Sequence, residues 1–148
     1  MSTDSDVTAD LIQTLEDGKD GYAKGAEKLT GTERPELAAV FQRYSEQRAD
    51  FAAELHEVAR SYGDELRESG TIAGTLHRGW MSLKDAFAGS DPAGVLDTAE
   101  QGEDHAVKAF ETALQAEISA PLRSIVERQS IAVRSAHDHV KSLRVADR

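Results

Sequence analysis

Apolar side chains recur at three- and four-residue steps along nearly the whole chain, and no window shows sustained alternation of apolar with polar residues. That period lines one face of an α-helix and argues against half-buried strands, so the sequence predicts an all-α protein. The first stripe follows Asp6, a good N-cap residue, and runs through Val7, Leu11, Leu15, Gly18, Tyr22, Ala26 and Leu29. "TGTERPEL" then breaks the pattern, with Thr32 as a cap and Pro35 in the first turn of the next helix. The second stripe carries Leu37, Phe41, Tyr44, Arg48, Phe51, Leu55, Val58 and Tyr62, and ends at Gly63. In "AGSDPAG", Ser90 or Asp91 can accept the orphan amides of a third helix, which uses Leu96, Glu100, Glu103, Val107, Phe110 and Leu114. Pro121 opens a fourth, with Ile125, Gln129, Val133, His137, Val140 and Leu143 on its stripe. Residues 63–75, with Gly63, Gly70 and Gly74, read as irregular, and a shorter amphipathic helix carrying Leu76, Trp80, Leu83 and Phe87 follows before the third.

Four long helices with a short one in the connection between the second and third fit a four-helix bundle of ferritin-like arrangement, a single domain over residues 1–148. The segment from Gly63 to Asp91 is long enough to return along the bundle, which would make the second and third helices parallel. An up-down bundle with the short helix strapped across one end fits the periodicity equally well. Three glycines in "DGKDGYAKG" each cost a helix about 1 kcal/mol relative to alanine. Their spacing nevertheless puts Gly18, Gly21 and Gly25 on one strip, where a second helix can approach closely or bulky side chains opposite find room; helix is favoured over loop.

Charge narrows the partners. With 27 acidic against 17 basic residues, net charge −10, the chain repels nucleic acid and anionic lipid at long range, so a cation or metal ion is the more natural partner. The distribution is uneven: residues 91–118 hold seven acids and one base, residues 119–148 three acids and six bases. If these are consecutive antiparallel helices, their fields attract. The absence of cysteine removes disulfides, thiolate metal sites and cysteine nucleophiles, and fits a reducing cytosol. No run of about 18 apolar residues appears and "MSTDSDVTAD" is acidic, so neither a membrane span nor a signal peptide is expected.

The functional reading rests on polar residues that fall on or beside the apolar seams. Glu100 and Glu103 lie one turn apart on the third helix, Glu54 flanks the seam of the second, His137 sits on the fourth, and Asp17 borders the glycine strip. Glutamate and histidine on facing helices can surround iron or manganese, so these five are the candidate metal ligands. The usual signature of such a centre, Glu-x-x-His, is absent at all five histidines. The alternative is that Glu103 pairs with a seam arginine such as Arg48, because a buried carboxylate needs a cation or a dense set of hydrogen bonds. This second reading gives a metal-free interaction module, with an outer helix face making a homodimer. His56, His105 and His139 read as solvated flanks. In "GTLHRGWMSLKDAF", Trp80, Leu83 and Phe87 suit a lid packed on the bundle, tied down by His77 and Arg78; the competing reading is a ligand contact through Arg78 and Lys84. No Gly-x-Ser-x-Gly elbow and no phosphate loop is present.

The ordered set "DGKDGY", "QRADFAAEL", "GTLHRGWMSLK", "EQGEDHA" and "AHDHV" resembles a bacterial family of small ferritin-like four-helix-bundle proteins of unknown function, over about residues 8–144. The resemblance implies a ferritin-like fold in a cytosolic, stress-associated protein. It implies no settled reaction. Asp17, Arg48, Glu54, His77, Arg78, Trp80, Glu100, Glu103 and His137 match that family's motif positions. The missing Glu-x-x-His departs from the wider ferritin-like superfamily, which argues against iron oxidation and storage.

Overall fold

The computed structural model describes residues 3–62 and 91–146. Four helices make up these residues: α1 (Thr3–Thr30), α2 (Pro35–Ala59), α3 (Pro92–Gln115) and α4 (Ala120–Ala146). The short helix expected around Leu76–Phe87, with His77, Arg78, Trp80 and Lys84, lies outside them.

The helix ends follow local chemistry, with two departures from the sequence reading. α1 begins at Thr3, so Asp6 stands inside its first turn, beside the positive end of the helix dipole, rather than at the cap. Thr32 does not cap α2: its hydroxyl donates to the Leu29 carbonyl (2.7 Å) and accepts from the Arg34 amide (3.2 Å), so it closes the end of α1. The residue at the α2 cap position is Arg34, which makes no side-chain cap bond. Asp91 is a true N-cap, its Oδ1 accepting from the Gly94 amide at 2.9 Å, with Pro92 in the first turn.

Two sets of contacts fix the direction of each helix. Asp4, at the start of α1, accepts from the Ser119 amide (2.8 Å) and the Tyr62 hydroxyl (3.5 Å), which places the end of α2 and the α3–α4 turn at that pole. At the other pole, Phe41 near the start of α2 and Val95 near the start of α3 both face Gly25 of α1. Hence α1 and α4 run one way, α2 and α3 the other. α1 packs on α2 and α3, and α4 on α3 and α2, so every neighbouring pair is antiparallel. α2 and α3 are therefore parallel across the diagonal, which selects between the two connectivities that periodicity left open.

Helix α1 runs unbroken through Gly18, Gly21 and Gly25. A Cβ on Gly25 would meet the Phe41 ring at 2.6 Å, and one on Gly18 would meet an Arg48 guanidinium nitrogen at 3.2 Å. The two glycines thus make room for large side chains of α2, and that packing offsets their low helix propensity.

Two apolar layers result. One holds Leu11, Leu15, Leu55, Phe110, Val126 and Val133; the other holds Tyr22, Leu29, Phe41, Leu96 and Val140. Burial of a side chain such as Phe41 or Phe110, each fully enclosed, contributes roughly 1.5–3 kcal/mol. Where the layers meet, the bundle interior is charged.

Candidate functional site

Arg48 lies on the inward stripe of α2, seven residues before Leu55, and its length carries the guanidinium across the bundle axis to α3. There it meets Glu103 side by side: Nη1 donates to Oε1 at 2.5 Å and Nη2 to Oε2 at 2.7 Å. Arg48 is 1 % exposed and Glu103 is 0 % exposed. Both carboxylate oxygens are thereby engaged by one planar fork, the strongest arrangement available to such a pair. Burial alone would pull the Arg48 pKa down; the adjacent Glu103 carboxylate more than offsets this and holds the group charged. Nε donates to the neighbouring Gln47 side chain at 3.2 Å, and the guanidinium carbon stands 5.3 Å from the centre of the Tyr22 ring.

Aromatic rings extend this centre toward the surface between α2 and α4. Tyr22 packs edge-on to Phe41 at 5.2 Å and beside Tyr44 at 5.4 Å, centroid to centroid. The Tyr44 hydroxyl hydrogen-bonds to Nδ1 of His139 at 2.5 Å. Burial, then the charge of Glu103, pushes the Tyr22 phenol well above its ordinary range, and Tyr44 moves the same way for the same two reasons. Both rings therefore stay neutral near pH 7.

The remaining residues singled out from sequence are not brought together. Glu54 bonds to Arg128 and, at 2.8 Å, to the Gln129 amide. Burial works against its ionisation, but these donors win and hold its pKa below the usual value. Glu100 is held by Arg144 of α4. Asp17, 4 % exposed, accepts from Gln13 one turn earlier at 3.3 Å. His137 turns to Asp104, with Nε2 at 2.6 Å, and to Asp138, with Nδ1 at 3.2 Å. Glu54, Glu100, Glu103, His137 and Asp17, the candidate metal ligands, thus each face a separate protein partner. Among the described residues, no three His, Asp or Glu side chains converge where they could hold one ion.

The attraction expected between the third and fourth helices takes a definite form. Arg144–Glu100, His137–Asp104 and Arg134–Glu111 (3.7 Å) tie α4 to α3 along its length, and Arg123 donates to the carbonyls of Leu114 and Ala116 at 2.8 and 2.9 Å. His139, read from sequence as a solvated flank, is instead half-buried against Tyr44. The aromatic at position 44 on the second stripe was the available signal, but helical spacing within one chain segment does not reveal which residue of another helix stands opposite.

These features define a small all-α protein, a four-helix bundle with a buried arginine–glutamate pair at its centre. The chain belongs to the family described as a domain of unknown function, DUF2383, whose sequence profile matches residues 5–116. The matched region takes in α1, α2 and α3 and so both members of the central pair. No curated protein is similar to the chain at a significant level. No helix of the described residues is long and apolar enough to cross a membrane.

Proposed function

We propose that this protein is a ferritin-like bundle in which a salt bridge takes the role that a metal centre has in bundles of that kind, and that it serves as a metal-free structural or interaction module. The parallel α2 and α3 support the ferritin-like reading, since that connectivity needs one long crossover. The observation that carries the functional reading is the bidentate Arg48–Glu103 pair, because the carboxylate nearest the bundle centre already has both oxygens on a cation. Iron or manganese at Glu54, Glu100, Glu103, His137 and Asp17 is the second reading. It would require Arg48, Arg128 and Arg144 to release their carboxylates. We further propose a homodimer in a stressed cytosol, seated on the outer face of α4, where Ile131 and Val145 are 72 % and 54 % exposed.

Elemental analysis of protein purified without chelator, together with melting curves on adding iron(II) or manganese(II), separates the readings. The metal-free module predicts no stoichiometric transition metal and an unchanged melting temperature. A stoichiometric metal, or a melting temperature that rises and saturates with the added ion, overturns it. Sedimentation equilibrium tests the dimer, and a monomer across the micromolar range removes that part of the proposal.

A further inference from the structure

Asp10 has no cation among its described contacts. Asp10 lies on the α1 side that meets α3, and its Oδ1 is buried without a hydrogen-bond partner. Beside it is a cavity of about 80 Å³, to which α1 contributes Val7, Leu11 and Asp10 itself, and α3 contributes Ala109, Thr112 and Ala113, with Ala116 just past its end. A carboxylate oxygen removed from water and left unpaired is an unfavourable arrangement, which a bound cationic group would relieve. The surroundings say which ligand. Apart from Thr112 the walls are apolar, Asp10 is the titratable side chain among the described residues that line the cavity, and Asp6, one turn away on the same helix, adds to the negative charge at Asp10. The pocket therefore offers an apolar chamber with one anionic anchor inside a protein of net charge −10.

We propose that this cavity binds a short primary alkylammonium ion, with the ammonium on the Asp10 carboxylate and the alkyl chain against Val7, Leu11 and Ala113. Size supports a small ligand. A dry cavity of about 150 Å³ takes benzene, so this one holds roughly three or four non-hydrogen atoms, the size of propylammonium. Thr112, exposed at the rim, supplies a hydroxyl that can accept a second ammonium proton. Burial and Asp6 together push the Asp10 carboxyl up to about 6, so the anchor is charged at neutral pH and is lost in mild acid.

The test is titration of the full chain with propylammonium chloride at about pH 7.5, read by NMR on the Ala109 and Ala113 methyls, with 1-propanol and sodium propionate as controls. A ligand of this size binds no more tightly than about tens of micromolar, so a titration that runs up to about 50 mM covers the range. The expected result is a saturable shift of those methyls with propylammonium, at least about tenfold weaker binding for both controls, and a similar loss at about pH 5. Asp10→Asn should abolish the saturation while the spectrum stays dispersed. Ala113→Val, which fills the chamber and keeps the charge, should weaken binding as well. The proposal is overturned by an unsaturated response up to about 50 mM. It is equally overturned if Asp10→Asn or 1-propanol binds as well as the parent pair, since the charge would then play no part.

Discussion

Glu103 and Asp10 are both carboxylates on helix faces that meet other helices, and the bundle treats them in opposite ways. Glu103, at the bundle centre, is fully enclosed and has both oxygens on Arg48. Asp10, nearer the pole where α1 begins, is half-buried and has an oxygen with no partner. The comparison separates two ways of keeping an acid inside a protein. One supplies a cation from the chain itself and so fixes which helices face each other; the other leaves the charge uncompensated, and stability is lower for it. Mutation should therefore act with opposite signs at the two sites.

The largest effect is expected at Arg48. Arg48→Met leaves the Glu103 carboxylate buried with no cation, which should destabilise the fold by about 3–5 kcal/mol in urea unfolding. Replacing both members, Arg48→Met with Glu103→Leu, removes the stranded charge and should recover most of that loss, because an apolar pair of similar volume is often as stable as the ion pair. If the double variant is as unstable as the single one, the pair contributes packing and direction that an apolar core cannot supply. If Arg48→Met costs less than about 0.5 kcal/mol, the central pair is not what holds α2 to α3.

At Asp10 the sign reverses. Its folded-state pKa, about 6 against an ordinary 3.8, means that the folded protein holds this proton more tightly than the unfolded chain does. Its contribution to stability is therefore greatest below the ordinary value, falls as pH rises between the two, and stays low above the folded value. A shift of this size on a fully buried group would correspond to about 3 kcal/mol; for a half-exposed side chain, screening reduces this to about 1 kcal/mol. Asp10→Asn should accordingly stabilise the protein by about 1 kcal/mol at pH 7 and by little at pH 4. A destabilised Asp10→Asn at pH 7 would show that Asp10 is compensated after all, and the contrast with Glu103 would disappear.

Much of the bundle was legible in the sequence because each helix writes its buried face locally, in the spacing of Leu11, Leu15 and Tyr22 or of Leu37, Phe41 and Arg48. The glycine strip was readable for the same reason. Direction was not: whether α2 and α3 run parallel depends on which ends meet, and only contacts such as Asp4 with Ser119 carry that information. The polar cluster was half legible. Spacing identified Glu103 and Arg48 as inward-facing, but it grouped Glu54, Glu100 and His137 with them, although each reaches a different side chain on α3 or α4. Partner choice is a property of register between helices, and an arginine such as Arg128 or Arg144 on an exposed flank gives no sign in one chain that it will fold back over a carboxylate. Asp10 escaped notice because an aspartate two turns into an acidic helix reads as a solvated face.

The pair His137–Asp104 tests where between these extremes an ion pair ceases to matter. Its histidine side chain is 17 % exposed and its aspartate 54 % exposed, so water screens one end. Burial opposes the charge on His137, but Asp138 and Asp104 prevail and raise its pKa above the ordinary 6.5. A raised histidine pKa contributes stability that is fully present below the unfolded value and is lost as pH rises through the folded one. His137→Gln should therefore cost less than about 1 kcal/mol near pH 6, and its difference from the parent should shrink toward zero as the solution becomes alkaline. The matching measurement is a pair of urea titrations at about pH 6 and pH 9, compared with the same pair for Asp104→Asn. If both variants lose equally at the two pH values, the contact acts through packing of the ring between α3 and α4 rather than through its charge. The contrast drawn from Glu103 and Asp10 would then not extend to an ion pair on the α3–α4 flank.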